Sequence, residues 1–273
     1  MIKLKILVLV VLYKREIYDS ETIRSVLEQD LTNADYKLVL WDNSPTVKAS
    51  PDLSLLKQRF LEVEYVSSPE NEWLSKAYNR VLTDTWYDYA LLFDQDSTLP
   101  AGFTGVCVKS INDNPEIGLY LPIVKNGERI VSPGNFWIFK GKHWKTASYG
   151  ILKSKNLLAI TSGLLISAKY LKKYQHRFDE RLDLYAIDSK FMLDYAKNEH
   201  LLCVIPTIIA HNSVLWSNPS ADVMLKRFRN FRKAWSIMLS DSLGPFLLTN
   251  LHTTYLSVKL AIKYRDLRFL KKK

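Results

Sequence analysis

The sequence predicts an α/β fold, a mostly parallel sheet flanked by helices and Rossmann-like in its first half, with a C-terminal helical extension. Three observations carry this. Strand-like and helix-like runs alternate from the start of the chain; the first run, Ile6 to Leu12, is apolar at every position; and short acidic sequences follow directly on strand-like runs. A strand apolar on both faces belongs in a sheet covered on both sides, and strand–helix–strand alternation makes parallel units.

Taken in order, Lys5–Tyr13 reads as a strand, ending at the charged Lys14, Arg15 and Glu16. No small-residue cleavage site follows, so this is a strand rather than a leader. Residues Ile17–Leu31 read as helical, with Asp19 or Ser20 as N-cap and Ile23, Val26 and Leu27 on one face. Tyr36–Trp41 and Val63–Val66 are strands, Asn71–Trp86 a helix, and Tyr89–Phe93 and Ile117–Ile123 further strands. Shorter β-rich pieces with glycine and aromatic residues fill Gly127–Ile166. A helix from Asp188 to Asn198, a strand at Leu201–Ile209 and two helices, Asp222–Leu239 and Pro245–Leu270, complete the chain. This divides the chain into a catalytic-type domain over 1–221, with halves 1–126 and 127–221, and a helical tail over 222–273.

Charge is distributed unevenly. Of a net +10, all resides in residues 223–273, where twelve Lys/Arg meet two acids; the preceding residues balance at 26 against 26. Such a block predicts an anionic partner. With no nucleic-acid-binding signature in the sequence, the expected partner is an anionic membrane surface and not nucleic acid. In Pro245–Leu270 an apolar stripe of Leu248, Leu251, Tyr255, Val258 and Ile262 accompanies Lys259, Lys263, Arg265 and Arg268, as in an interfacial helix or one packed on the domain. No run reaches the ~20 apolar residues of a membrane span. Cys107 and Cys203 lie far apart in apolar surroundings and read as buried thiols in a reducing cytoplasm.

Ligands of open α/β sheets bind beyond the carboxyl ends of the strands. There stand Asp42, in Trp41-Asp42-Asn43-Ser44, and the pair Asp94 and Asp96, in Asp94-Gln95-Asp96-Ser97. Two carboxylates on one short turn suit a hard divalent cation, Mn²⁺ or Mg²⁺, which in turn binds diphosphate oxygens. Asp188, near the start of a helix, is placed to act as a general base, and His211 follows another strand. Taken singly, each of these residues also reads as a turn or helix-terminus residue.

Their order is more specific. Asp42, then Asn71, Ala77 and Asn79 on one helix, Phe93-Asp94-Gln95-Asp96-Ser97, Thr161-Ser162-Gly163, Phe178-Asp179-Glu180, Ile187-Asp188 and His211 together resemble glycosyltransferase family 2, inverting enzymes of the GT-A fold, and in particular its rhamnosyltransferase-like branch. The resemblance covers roughly residues 4 to 235. It implies a metal-dependent hexosyltransferase. In that reading Asp188 is the catalytic base; Asp42, Asn71, Asn79, Asp94, Gln95 and Asp96 hold the nucleotide sugar; Ser162, Gly163 and Asp183 face the acceptor; and Asp94, Asp96 and His211 hold Mn²⁺ or Mg²⁺. Asp183 is the alternative base. The donor implied is dTDP-rhamnose or a UDP-hexose. The implied acceptor is a lipid-linked glycan of O-antigen or capsule synthesis, reached from the cytoplasmic face of the cell membrane. The chain departs from the family at Trp73, where a glycine is usual and where bulk should crowd the donor, at Tyr185, where an aspartate is common, at Lys190, where an acid is usual, and at Asp194, where an arginine is usual. The last two leave open a nucleotide-sugar-binding protein without catalysis.

Overall fold

A computed structural model describes residues 3–46, 51–137, 140–211, 220–240 and 243–271. Its centre is a ten-stranded sheet. Strands β1 (Lys5–Leu12), β2 (Asp35–Asp42), β3 (Glu62–Ser67) and β4 (Tyr89–Asp94) form the parallel half, in the order β4-β1-β2-β3. Beyond β4 lie β12 (Leu164–Ser167), β6 (Leu119–Asn126), β13 (Leu201–His211) and β10 (Gly150–Lys153). There β12 runs antiparallel to both β4 and β6, while β6 and β13 are parallel. The short strands β5 (Ser97–Thr98) and β7 (Arg129–Ser132) pair with β13 and β6. A separate three-stranded sheet joins β8 (Gly134–Trp137), β9 (Lys140–His143) and β11 (Leu157–Leu158).

The expected α/β class holds, and the antiparallel β12 marks where parallel order gives way. Every residue of β1 after Lys5 is buried. Leu7, Leu9 and Val11 enter one apolar cluster while Ile6, Val8, Val10 and Leu12 enter the other. Alternation along one strand thus feeds two cores, as a sheet covered on both faces requires.

Helices α1 (Glu21–Leu27) and α3 (Leu74–Val81) are shorter than their periodicity suggests, because side chains of the flanking turns take up the backbone. Ser20 caps α1 by accepting from Ile23 N, and beyond its end Asp30 accepts from Thr32 N at 2.9 Å. After α3, Asp84 accepts from Trp86 N in the same way. Three helices escape the sequence pattern: α2 (Ser54–Arg59), α4 (Phe103–Asp113) and α5 (Ala168–Tyr174). Two are under eight residues, and α4 carries Thr, Val and Gly with low helical propensity. Helix α6 spans Ile187–Asn198.

The C-terminal pair is α7 (Ala221–Met238) and α8 (Leu243–Tyr264). Here α8 ends at Arg265, in a left-handed conformation, and a 3-10 turn over Leu267–Leu270 follows. Ala234 of α7 is buried in the main core. Leu225, Phe228, Ala261 and Phe269 form a small core of their own between α7, α8 and the final turn. Both cysteines are buried and unpaired. No helix among the described residues is long and apolar enough to cross a membrane.

Candidate active site

Strand β4 delivers Asp94 to the carboxyl edge of the sheet, and the following turn presents Gln95 and Asp96. Residues before and within α1 pin this turn. Ser20 Oγ donates to Gln95 O at 2.7 Å, Thr22 Oγ1 donates to Asp94 O, and Thr22 Oγ1 accepts from Ser97 N at 2.9 Å. Gln95 in turn holds the end of β1, accepting from Tyr13 N at 2.8 Å. The acids are therefore fixed from the side of the helix that precedes them by some seventy residues, an arrangement that favours preorganisation.

The antiparallel pairing of β5 with β13 sets His211 opposite Ser97 and so next to Asp96. One ligating atom each from Asp94, Asp96 and His211 falls within 4.8 Å of the others. Ser162 Oγ donates to Asp94 Oδ2 at 2.7 Å, orienting that carboxylate. Asp96 Oδ1 is buried without a hydrogen-bond partner. His211 Nδ1 lies 3.4 Å from it, close enough for attraction but not in hydrogen-bonding geometry. Burial pushes the Asp96 carboxyl up, against the attraction of His211 and with the repulsion of Asp94. A buried, unpartnered oxygen beside a second carboxylate and an imidazole is a donor set that fits Mn²⁺ or Mg²⁺.

These groups line one side of a cleft of about 640 Å³. Asp188, in the first turn of α6, lines it as well. Its Oδ1 accepts from Ser189 N at 2.6 Å. Desolvation pushes its carboxyl up to about 6, with Asp94 adding to the rise and the Ser189 hydrogen bonds opposing it. Tyr78, wholly buried and also raised by burial and by Asp94, lines the cleft with its hydroxyl 3.5 Å from Thr161 Oγ1.

Of the residues picked from sequence, Asn71, Asp94, Gln95, Asp96, Asp188 and His211 line the cleft. The others sit elsewhere. Asp42 is buried, accepting from Ser44 N at 2.9 Å and Tyr65 Oη at 2.7 Å, and its neighbour Asn43 faces the cleft instead. Asn79 is buried and clasps the 178–180 loop. It accepts from Phe178 N and donates to Phe178 O and Glu180 Oε1, all at 2.8–2.9 Å. Ser162 acts on Asp94 from behind. Gly163 adopts φ +85° where a Cβ would meet Pro122 and Ile209 at 2.5 and 2.7 Å, so it serves packing. The Asp183 carboxylate accepts from Leu184 N and is not among the cleft-lining groups.

Trp73 also stays outside the cleft. Its exposed ring has Lys76 and Lys233 ammonium groups 5.0 and 5.6 Å from its centroid. Lys190 and Asp194 pair with each other at 2.7 Å along α6, away from the cleft. Sequence reasoning missed Tyr13 and Tyr78, and it assigned Arg227 to the basic tail although α7 brings it into the cleft. Helical spacing places Arg227, Phe231 and Trp235 on one face, which was the signal available.

The mixed sheet, with acids at the carboxyl ends of its strands and a cleft above them, is an α/β architecture that sets a ligand site at the strand ends. Residues 7–175 match the family described as Glycosyl transferase family 2. The chain belongs to that family. No curated protein matches the sequence significantly. The crystal structure of S. aureus TarS residues 1–349 is similar, with 16% identity, a TM-score of 0.56, and coverage of 96% of this chain and 77% of that one. The same TarS fragment in complex with UDP-GlcNAc gives 16% identity and a TM-score of 0.57, covering 96% and 78%. At this identity the likeness concerns the fold.

Proposed function

We propose that the chain is an inverting glycosyltransferase that uses a nucleotide diphosphate sugar and a divalent cation. The carrying observation is that one cleft holds the Asp94, Asp96 and His211 trio together with a separate carboxylate, Asp188, on another element. The trio would hold Mn²⁺ or Mg²⁺, which when bound supplies positive charge to the leaving diphosphate. Asp188 accepts the proton of the acceptor hydroxyl. The hydroxyl oxygen then bonds the anomeric carbon as the bond to the diphosphate oxygen breaks, and the diphosphate leaves with the electron pair. Attack from the face opposite the diphosphate inverts the centre. A base raised to about 6 is mostly ionised at neutral pH and more basic than an ordinary carboxylate, as proton abstraction requires.

Asn43, Asn71, Gln95 and Arg227 are the remaining polar groups of the cleft suited to the nucleotide and diphosphate. The donor is a UDP-hexose or dTDP-rhamnose. The TarS fragment's complex with UDP-GlcNAc supports starting with the UDP sugar. The acceptor is a lipid-linked glycan of surface polysaccharide synthesis, with the protein peripheral at the cytoplasmic membrane face. Lys190 and Asp194, the departures that suggested binding without catalysis, satisfy each other outside the cleft, which supports the catalytic reading. A thermal-shift panel of UDP and dTDP sugars with and without Mn²⁺ tests the assignment. A metal-dependent rise with one donor is expected, and none with any donor would refute it.

A further inference from the structure

Helix α8 carries apolar residues on two sides. The residues it fully buries against the protein are small and mostly polar, Thr249, Thr253, Ser257 and Ala261, with Leu256, Leu260 and Tyr264 partly buried in the small core beside them. Its large apolar residues point outward, with Leu243 81% exposed, Leu251 70%, Tyr255 61% and Ile262 73%. Together with Leu247 and Val258 they recur every three or four residues, so they share an arc of about 120°. Lys259 and Lys263, both exposed, follow one edge of this arc, between it and the buried face.

A second apolar stripe this long, facing solvent, is costly in water. The helix is nonetheless firmly seated. Phe269 is buried beside Phe228 and Tyr264, and Arg268 bridges to Asp222 of α7 at 2.6 Å. The outward face is therefore a fixed surface.

We infer that this face of α8 is an interfacial anchor that lies in the headgroup region of an anionic lipid bilayer. Two features single out that occupant. The apolar arc and its bordering lysines match a layer with hydrocarbon below and negative charge above. A second copy fits poorly, because joining the arcs of two chains would bring together two segments that each carry twelve bases and two acids. The anchor is joined to the cleft through α7. The His252 ring of α8 stacks at 6.3 Å on Trp235, and α7 also carries Arg227 into the cleft. Lipid contact on α8 would thus hold the cleft at a defined height above the bilayer. The consequence for the acceptor rests on the transfer reading above, whereas the lipid contact does not.

The test uses the full chain with vesicles of phosphatidylcholine and phosphatidylglycerol at 3:1, and of phosphatidylcholine alone. The unaltered protein should co-sediment with the anionic vesicles, and Leu251→Glu with Ile262→Glu should weaken this by roughly a hundredfold, about tenfold per buried leucine-sized side chain. Lys259→Gln with Lys263→Gln should weaken binding to anionic vesicles and reduce its salt dependence. Thermal shift by nucleotide sugar should be the same in every variant, which separates failure of the anchor from failure of the donor site. If the Leu251 and Ile262 pair of substitutions disturbs folding, Leu247→Glu on the same exposed arc makes the comparison alone. The inference is overturned by full-length protein that ignores anionic vesicles at low salt, or by glutamate variants that bind as before. A solution dimer that Leu251→Glu with Ile262→Glu dissociates would equally overturn it, making the face a contact between copies.

Discussion

Replacing Asp188 by Asn removes a charge and keeps nearly the same shape, so it separates what the carboxylate does for catalysis from what it does to stability. Its carboxyl is raised from an ordinary 3.8 to about 6, chiefly by desolvation. The folded protein therefore holds this proton more tightly than the unfolded chain does. Any stabilisation from the neutral form is complete below about 3.8, and it is lost as pH climbs through about 6. Above that, the buried charge costs the fold up to about 3 kcal/mol, less whatever water in the cleft recovers. Asp188→Asn should accordingly raise the melting temperature at pH 8 by a few degrees, with the gain fading as the pH falls toward 4. Transfer should fall ~10² or more, while donor affinity persists. In the unaltered enzyme, turnover should increase with pH up to about 6 to 7 and then level off. Melting curves across pH, paired with donor titration and turnover, make the measurement. A variant less stable than the parent at pH 8, or one that transfers normally, would refute the reasoning. So would Asp183→Asn producing the loss of transfer in its place.

Other consequences follow from the same geometry. Asp96→Ala should abolish both transfer and the metal dependence of donor binding, and full turnover in excess chelator would count against the cation site. Asn79→Ala should cost about 2–4 kcal/mol in denaturant unfolding, because it leaves the buried Phe178 N–H and C=O unpartnered. Weakened donor affinity with unchanged stability would instead return Asn79 to the donor site. Arg227→Gln should raise the donor KM by roughly tenfold with little change in melting temperature, as for loss of a charge-assisted contact to diphosphate. An unchanged KM would remove Arg227 from that role.

What the sequence made legible was placement along the chain. Apolar runs located β1, β2, β3, β4, β6 and β13, and the helix-like segments between and after them located α3, α6, α7 and α8. The rule that ligands gather beyond strand ends then led to Asp94, Asp96 and His211. What remained hidden was direction. Asp42 stands at the carboxyl end of β2 as the pattern says, yet its two oxygens turn to Ser44 and Tyr65. A buried carboxylate takes whatever donors the fold offers it, and the Tyr65 hydroxyl comes from the neighbouring strand β3, in a register no local pattern encodes. Likewise the apolar stripe of α8 was visible as a period, but not the side of the helix that faces the protein.

The departures at Lys190 and Asp194 show why position-by-position comparison misleads when residues act in pairs. Read separately, a lysine in place of an acid and an acid in place of an arginine each appear to damage a catalytic helix. On α6 they are four residues apart, and so on the same face, where the charges meet at 2.7 Å. Lys190 is buried, so losing Asp194 would weaken the pairing of a charge in the core, whereas Asp194 is half-buried and also meets Lys197 at 2.8 Å. Their exchange leaves Asp188, earlier on α6 and facing the cleft, with the same charge balance along its helix. Reversing the pair as Lys190→Glu with Asp194→Arg should thus be tolerated, while Lys190→Glu alone should lower the melting temperature sharply. If the single variant folds as well as the double, the pairing does not explain the departures, and their place in this helix is unrelated to one another.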